Sequence, residues 1–225
     1  VIQNKMGIGD TVIYLPFIKA ISMKFNCPVS LLVKENSKAK EFLDQTNYID
    51  QVIYQKKNDN NEGILGTIKL ARELKKYSFE KVFIFNSSLR FNLVSRLANI
   101  KKIYQYPLFK KREQHITGAA KKLIKENLSI DVNENPVIQI DESLVEKTSK
   151  KLNIRQDELN ILLGIGGSGP TKRIPAKTIL AFMKKIKNFK KCKFFLATGK
   201  NEGEQKILEE ILDTEFKDQC FPLDN

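Results

Sequence analysis

Short apolar runs alternate with amphipathic stretches along almost the whole chain. Val1-Ile2 reads as the end of a strand begun upstream, and residues 11–25 as a helix that Pro16 is expected to kink. Strand-like runs follow at Val29–Val33, Gln51–Tyr54, Val82–Phe85, Ile103-Tyr104 and Val137–Ile140. Helical stretches lie between them, at 37–44, 64–76, 88–98 and 114–127. In the second of these, Ile64, Leu65, Ile68, Ala71 and Leu74 recur near the helical period. Val82-Phe83-Ile84-Phe85 is apolar at every position, as in a strand buried on both faces of a parallel sheet.

After a helix over 142–153 the pattern restarts. Ile161-Leu162-Leu163 reads as a strand, 164–175 as a glycine-bearing loop, and 176–187 as a helix with Ala176, Ile179, Leu180, Met183 and Ile186 on one face. Phe194-Phe195-Leu196 is a second strand, 202–212 a helix, and Cys220-Phe221 a possible third strand. Strands alternating with helices imply an α/β protein with parallel sheets and right-handed crossovers. Two arrays are expected, at 1–153 and 154–225. The second is short for a sheet that must cover its own apolar faces, so it is expected to be incomplete.

Composition narrows the class. At 41% hydrophobic and 29% charged, the chain can bury a core and is not a disordered tail. No apolar run approaches the roughly 20 residues that span a bilayer, and no signal peptide is visible. Cys27, Cys192 and Cys220 are widely spaced, without the pattern of a metal site or a disulfide framework, which suits a reducing cytoplasm. The net charge of +13 favours anionic partners, although lysine-rich composition alone can produce it. Arginine is scarce and tryptophan absent, which disfavours nucleic acid.

Four segments carry candidate chemistry. Gly7-Ile8-Gly9-Asp10 lies between a strand end and a helix start. Asp10 reads either as a helix-terminal cap or as an ionised general base. The spacing does not fit the full dinucleotide fingerprint, because Val12 stands where its third glycine would be. The loop 164–175 combines Gly166, Gly167, Ser168, Gly169, Thr171 and Lys172 before a helix, a composition suited to cradling phosphate. It could also be a solvated surface loop. Glu202 and Glu204, after the next strand, could accept ribose hydroxyls or serve the first turn of their helix. Lys110, Lys111, Arg112 and His115 could meet a phosphorylated acceptor or form a solvated loop. One histidine and no Asp-x-Asp pair give no metal site.

These pieces, in this order, resemble the heptosyltransferase family of glycosyltransferase family 9. GIGDTVIYLPFIKAISMKF (7–25) is similar to that family's opening motif, and LLGIGGSGPTKRIP (162–175) to its donor loop. FFLATGKNEGEQKILEEIL (194–212) is similar to its next strand–glycine–acidic helix unit. KREQH (111–115) resembles the basic stretch and histidine before the last helix of the first domain. Ile174 stands where the family usually has tryptophan, and its later Asp-Thr-Gly-x-x-His motif is expected beyond residue 225.

The resemblance implies a GT-B fold of two Rossmann-like domains, an acceptor domain over 1–153 and a truncated nucleotide-sugar domain over 154–225. It implies an inverting, metal-independent transfer of heptose from ADP-heptose to the lipopolysaccharide inner core, without a cofactor. Asp10 would be the base. Gly166, Gly167, Ser168, Gly169, Thr171, Lys172, Glu202 and Glu204 would hold the ADP-sugar. Gly9, Lys110, Lys111, Arg112 and His115 would meet the phosphorylated acceptor. Surplus positive charge would favour the inner face of an anionic membrane. Another nucleotide-sugar, or a non-catalytic nucleotide- or anion-binding protein of the same fold, are the alternatives.

Overall fold

The computed structural model describes residues 1–3, 7–55, 63–107, 115–167 and 169–223. Contacts divide the chain into two compact units, Val1–Asp141 and Glu142–Asn225. The division falls earlier than the expected boundary at 153/154, so the helix Glu142–Lys151 goes with the second unit.

In the first unit, helix α1 (Ile8–Phe25) leads to β1 (Val29–Lys34), α2 (Ala39–Leu43) and β2 (Ile49–Gln55). Then come α3 (Gly63–Lys75), β3 (Lys81–Ile84), α4 (Leu89–Leu97), β4 (Lys102–Gln105) and α5 (Ile116–Leu128). β1 pairs with β2 and β3 with β4, both in parallel. Ile2 joins the two pairs. Its N–H donates to the Phe83 carbonyl at 2.8 Å, and its carbonyl accepts from Phe85 N–H at 3.1 Å. On the other side, Leu32 N–H donates to the Val1 carbonyl at 2.8 Å, and Gln3 N–H to the Leu32 carbonyl at 3.0 Å. Residues 1–3 are therefore the central strand of a parallel sheet in the order β2–β1–(1–3)–β3–β4. In chain order this is 3-2-1-4-5, the doubly wound arrangement, whose direction of winding reverses beside the first strand.

Alternation within the strands builds a core on each face. Leu31, Val33, Phe83 and Phe85 pack with Tyr14, Phe17 and Ile18 of α1 and with Ala120 and Ile124 of α5. Ile2, Leu32, Val82 and Ile84 pack with Leu70 and Leu74 of α3 and Phe91 and Val94 of α4. Helix α1 runs unbroken through Pro16, which is buried. Its C-terminus closes on Asn26 in the left-handed conformation, whose N–H returns to the Met23 carbonyl.

Val137–Ile140 forms no strand, correcting the sequence expectation. V-I-Q-I has strand-like composition, but a strand needs a neighbouring edge to pair with. Here Val137 and Ile140 stay exposed, and the segment is tied by Asn47 N–H donating to the Gln139 side-chain carbonyl at 2.9 Å.

The second unit holds α6 (Glu142–Lys151), β5 (Leu159–Gly164), α7 (Ala176–Lys187), β6 (Cys192–Ala197), α8 (Glu202–Leu212) and β7 (Cys220–Leu223). Its sheet is parallel, in the order β5–β6–β7. Phe194 and Leu196 of β6 pack with Ala176, Ile179 and Met183 of α7, Leu208 and Ile211 of α8, and Phe216. Leu162 of β5 remains exposed, and α6 buries none of its side chains.

Candidate functional site

In an open parallel sheet, ligands bind outside the carboxyl ends of the strands, where the winding reverses. The first unit places Asp10 there, in the first turn of the helix that follows the central strand. Gly7 is the N-cap, and Asp10 occupies the third helical position. Its Oδ2 accepts the Gly7 N–H at 3.1 Å, the backward half of a capping box. Asp10 is half-buried and has no other hydrogen-bond partner among the described residues. The cap reading does not exclude the base reading: Oδ2 steadies the turn, and Oδ1 has no hydrogen-bond partner among the described residues. Gly9 is exposed, and a Cβ placed on it would meet nothing within 4 Å. The protein itself therefore does not require a glycine there.

The sequence reading passed over a polar cluster on the same edge. Gln105, at the end of β4, donates from Nε2 to the carbonyls of Asn86 at 3.1 Å and Ser88 at 2.9 Å. Asn92 of α4 donates to Gln105 Oε1 at 2.8 Å, and Asn86 Oδ1 accepts Ser88 N–H at 2.9 Å. The Asn86 amide nitrogen is buried without a partner among the described residues. Gln3 is wholly buried on the central strand, and both its amide atoms lack partners there. The polar turn Asn86-Ser87-Ser88 directly after an apolar strand is the signal that could have flagged Asn86.

His115 is exposed and caps α5: its Nδ1 accepts Thr117 N–H at 3.4 Å and lies 2.8 Å from the Thr117 hydroxyl. Lys110, Lys111 and Arg112 lie outside the described residues, as does Ser168.

In the second unit, β5 and β6 end level with each other, Gly164 opposite Ala197. The loops that follow them leave one edge side by side. Glu204, buried in the first turn of α8, joins them: Oε1 accepts Gly167 N–H at 3.1 Å, and Oε2 accepts Gly199 N–H at 2.6 Å. Gln205 adds a bond from Nε2 to the Gly199 carbonyl at 2.8 Å. Asn201 caps α8 through Gly203 N–H at 3.0 Å, and its Oδ1 also accepts from Arg173 Nη2 at 2.9 Å. Asn201 and Gln205 were not among the expected site residues, and Arg173, expected only as added charge on the glycine loop, is bonded to Asn201. The Asn-x-x-Glu spacing of 201–204 was the available signal for a helix start.

Two glycines of this loop, Gly166 and Gly167, have close neighbours where a Cβ would stand, whereas Gly164 and Gly169 have none within 4 Å. A Cβ on Gly167 would lie 2.9 Å from the Lys172 Cβ, because the chain turns back on itself through Pro170–Lys172. The turn is closed by Lys172 N–H donating to the Gly169 carbonyl at 3.0 Å. Thr171 and Lys172, within the first of the two tied loops, and Glu202, just after the second, are exposed. Among the described residues, no three His, Cys, Asp or Glu side chains converge as a metal centre would need.

Other features lie away from these edges. An apolar cavity of about 330 Å³ is lined by Val1, Phe25, Val29 and Phe79, at the amino ends of the first unit's strands. That is the edge opposite the helix N-termini, so it has none of their attraction for anions. Cys192 and Cys220 sit in the second core, where burial raises both thiol pKa values, that of Cys220 to about 11.

No family model matches the chain, and no curated protein matches it in sequence. Solved structures do match. E. coli ADP-heptose lipopolysaccharide heptosyltransferase II superposes with a TM-score of 0.71 at 14% identity, covering 99% of this chain and 71% of that one. The chain has the heptosyltransferase fold. A glycosyl transferase family 9 structure from Veillonella parvula gives a TM-score of 0.70 at 16% identity, covering 95% of this chain and 66% of that one. E. coli heptosyltransferase WaaC with ADP gives 0.67 at 15% identity, over 100% of this chain and 74% of that one. The chain thus spans about two thirds to three quarters of these relatives, and the fold class is α/β of the GT-B type.

Proposed function

We propose that this chain belongs to an inverting glycosyltransferase that moves a heptose from ADP-heptose to a sugar hydroxyl of the lipopolysaccharide inner core. The observation that carries this reading is the glycine loop of 164–175, tied beside the N-terminus of α8 in a fold shared with a heptosyltransferase solved with ADP.

Asp10 takes the proton of the attacking hydroxyl. The hydroxyl oxygen bonds to the anomeric carbon from the face opposite the leaving group, the bond to the diphosphate oxygen breaks, and ADP departs. One displacement inverts the anomeric centre. Lys172, Ser168, Thr171 and the N–H groups of the 166–169 loop other than that of Gly167, which Glu204 already holds, bind the diphosphate. They stabilise charge that grows in the transition state, so they raise rate and not affinity alone. A lysine in this place supplies the positive charge that other glycosyltransferases draw from a metal ion. Glu202, exposed at the start of α8, accepts from the ribose.

Gly9 lets the acceptor sugar approach the helix start closely. His115 and the basic run Lys110, Lys111 and Arg112 meet acceptor phosphates, and Asn86 and Ser88 offer further hydrogen bonds. The net charge of +13 draws the enzyme toward the anionic inner face of the cytoplasmic membrane, where such an acceptor is anchored. Among the described residues, no helix is long and apolar enough to cross it.

The test is transfer by the complete protein from a panel of nucleotide-sugars to lipopolysaccharide-core acceptors. ADP-heptose should be the preferred donor. Preference for a different nucleotide-sugar would replace the donor, and nucleotide affinity without turnover of any donor would replace the enzyme with a binding protein.

A further inference from the structure

Glu204 is the side chain of the second unit most tightly bound into the candidate site, and its bonds run to backbone. It is 7% exposed. Each carboxylate oxygen already accepts one N–H, from Gly167 on one loop and Gly199 on the other. The two glycines nearest its Oε2 have no room for a side chain: a Cβ on Gly166 would lie 2.8 Å away, and one on Gly199 2.7 Å away. The carboxylate therefore packs directly against two α-carbons and draws two N–H groups toward itself. Bonds to an ionised acceptor are roughly twice as strong as neutral ones. The nearby Asn201–Arg173 bond repeats the connection between the same two loops.

We propose that Glu204 is a positioning residue for the donor, and that it does not itself hold the ribose. It closes the 164–175 and 197–201 loops into one preformed cradle, so that the remaining N–H groups and Lys172 are fixed before nucleotide arrives. Preorganised donors act without reorganisation when charge develops on the leaving diphosphate. The two glycines beside the carboxylate belong to the same device, because any side chain on them displaces it. This inference rests on the nucleotide-sugar reading above and assigns Glu204 a different task from the ribose contact that its sequence position suggests.

The experiment compares ADP, 2′-deoxy-ADP and 3′-deoxy-ADP binding to the complete protein and to E204Q by calorimetry. It also follows amide exchange at 165–169 and 197–201 without nucleotide. In E204Q one N–H loses its acceptor, because the new amide nitrogen is a donor. Exchange should rise in both loops, and all three nucleotides should weaken by the same factor of about ten, the ratio that one lost charge-assisted bond produces. G199A, which displaces the carboxylate without removing it, should give the same pattern. If E204Q does not fold, G199A alone decides the matter.

Three results overturn the proposal. Unchanged exchange in the variants would mean that the carboxylate does not hold the loops. A fall in thermal stability with unaltered ADP affinity would make the role merely structural. If deletion of one ribose hydroxyl weakens wild-type binding but costs nothing further in E204Q, Glu204 touches the ribose. Failure of the wild-type protein to bind any of the three nucleotides, with exchange still raised in E204Q, would overturn the donor reading instead.

Discussion

Asp10 and Glu204 occupy the same local position in the two halves of the molecule. Each follows a parallel strand, stands beside glycines, and is the third residue of a helix, after Gly7 in one case and Asn201 in the other. Their surroundings make them opposites. The shorter aspartate turns back only to its own N-cap, 3.1 Å from Gly7 N, and stays half-buried with an oxygen to spare. The longer glutamate passes its own cap and reaches a loop 37 residues earlier in sequence, where it is buried and occupied on both oxygens. One methylene separates a carboxylate bonded through one oxygen to its own cap from one bonded through both oxygens to two loops.

The most damaging test of that contrast is Asp10→Asn. It keeps an acceptor for Gly7 N–H and removes the base. Turnover should fall by roughly 10²- to 10⁴-fold, the usual contribution of a positioned general base, while ADP affinity and thermal stability stay near wild type. Near-normal turnover would leave Asp10 as a cap like any other. Lys172→Ala should come next, lowering kcat by about 10²- to 10³-fold if the lysine meets charge that grows in the transition state. A rise in KM with kcat intact would assign it to ground-state binding.

Much of this contrast lies below what sequence can show. The strand Val82–Phe85 and the helical face of 64–76 are legible because burial on known faces dictates their patterns. The end of a strand at Val1-Ile2 is also legible, but its central place is not, since pairing with both β1 and β3 depends on partners distant in sequence. Val137–Ile140 misleads because composition reports strand preference and not the presence of an edge to join. The glycine loop and the acidic helix after it are visible as separate motifs. That Glu204 ties them requires knowing that β5 and β6 are neighbours in register, Gly164 opposite Ala197. Asp10 needs no such knowledge, because its partner is three residues away.

Glu204→Asp sharpens the contrast by shortening the arm. The aspartate should retreat to its own helix cap, as Asp10 does, and leave the N–H groups of Gly167 and Gly199 unpaired. Hydrogen bonds to charged groups contribute about 1.5–3 kcal/mol each, and water recovers part of the loss at these half-exposed loops. We expect the second unit to lose about 2 kcal/mol, measured by urea denaturation. A loss below about 0.5 kcal/mol, the scatter of ordinary surface changes, would show that the two bonds contribute little.

The smallest effect separates the glycines. At Gly9 a methyl group meets nothing within 4 Å, and the position lies inside the first turn of α1. Alanine there relieves the entropic cost of a helical glycine, so Gly9→Ala should raise stability by about 0.5–1 kcal/mol. If the acceptor sugar approaches this turn as proposed, the same methyl should raise the acceptor KM and leave ADP binding alone. At Gly199 the methyl would sit 2.7 Å from the Glu204 carboxylate, so Gly199→Ala should cost about 1–3 kcal/mol and weaken ADP binding while sparing the acceptor. Equal effects at the two positions would erase the distinction between an open turn that admits a ligand and a closed one that the protein fills itself.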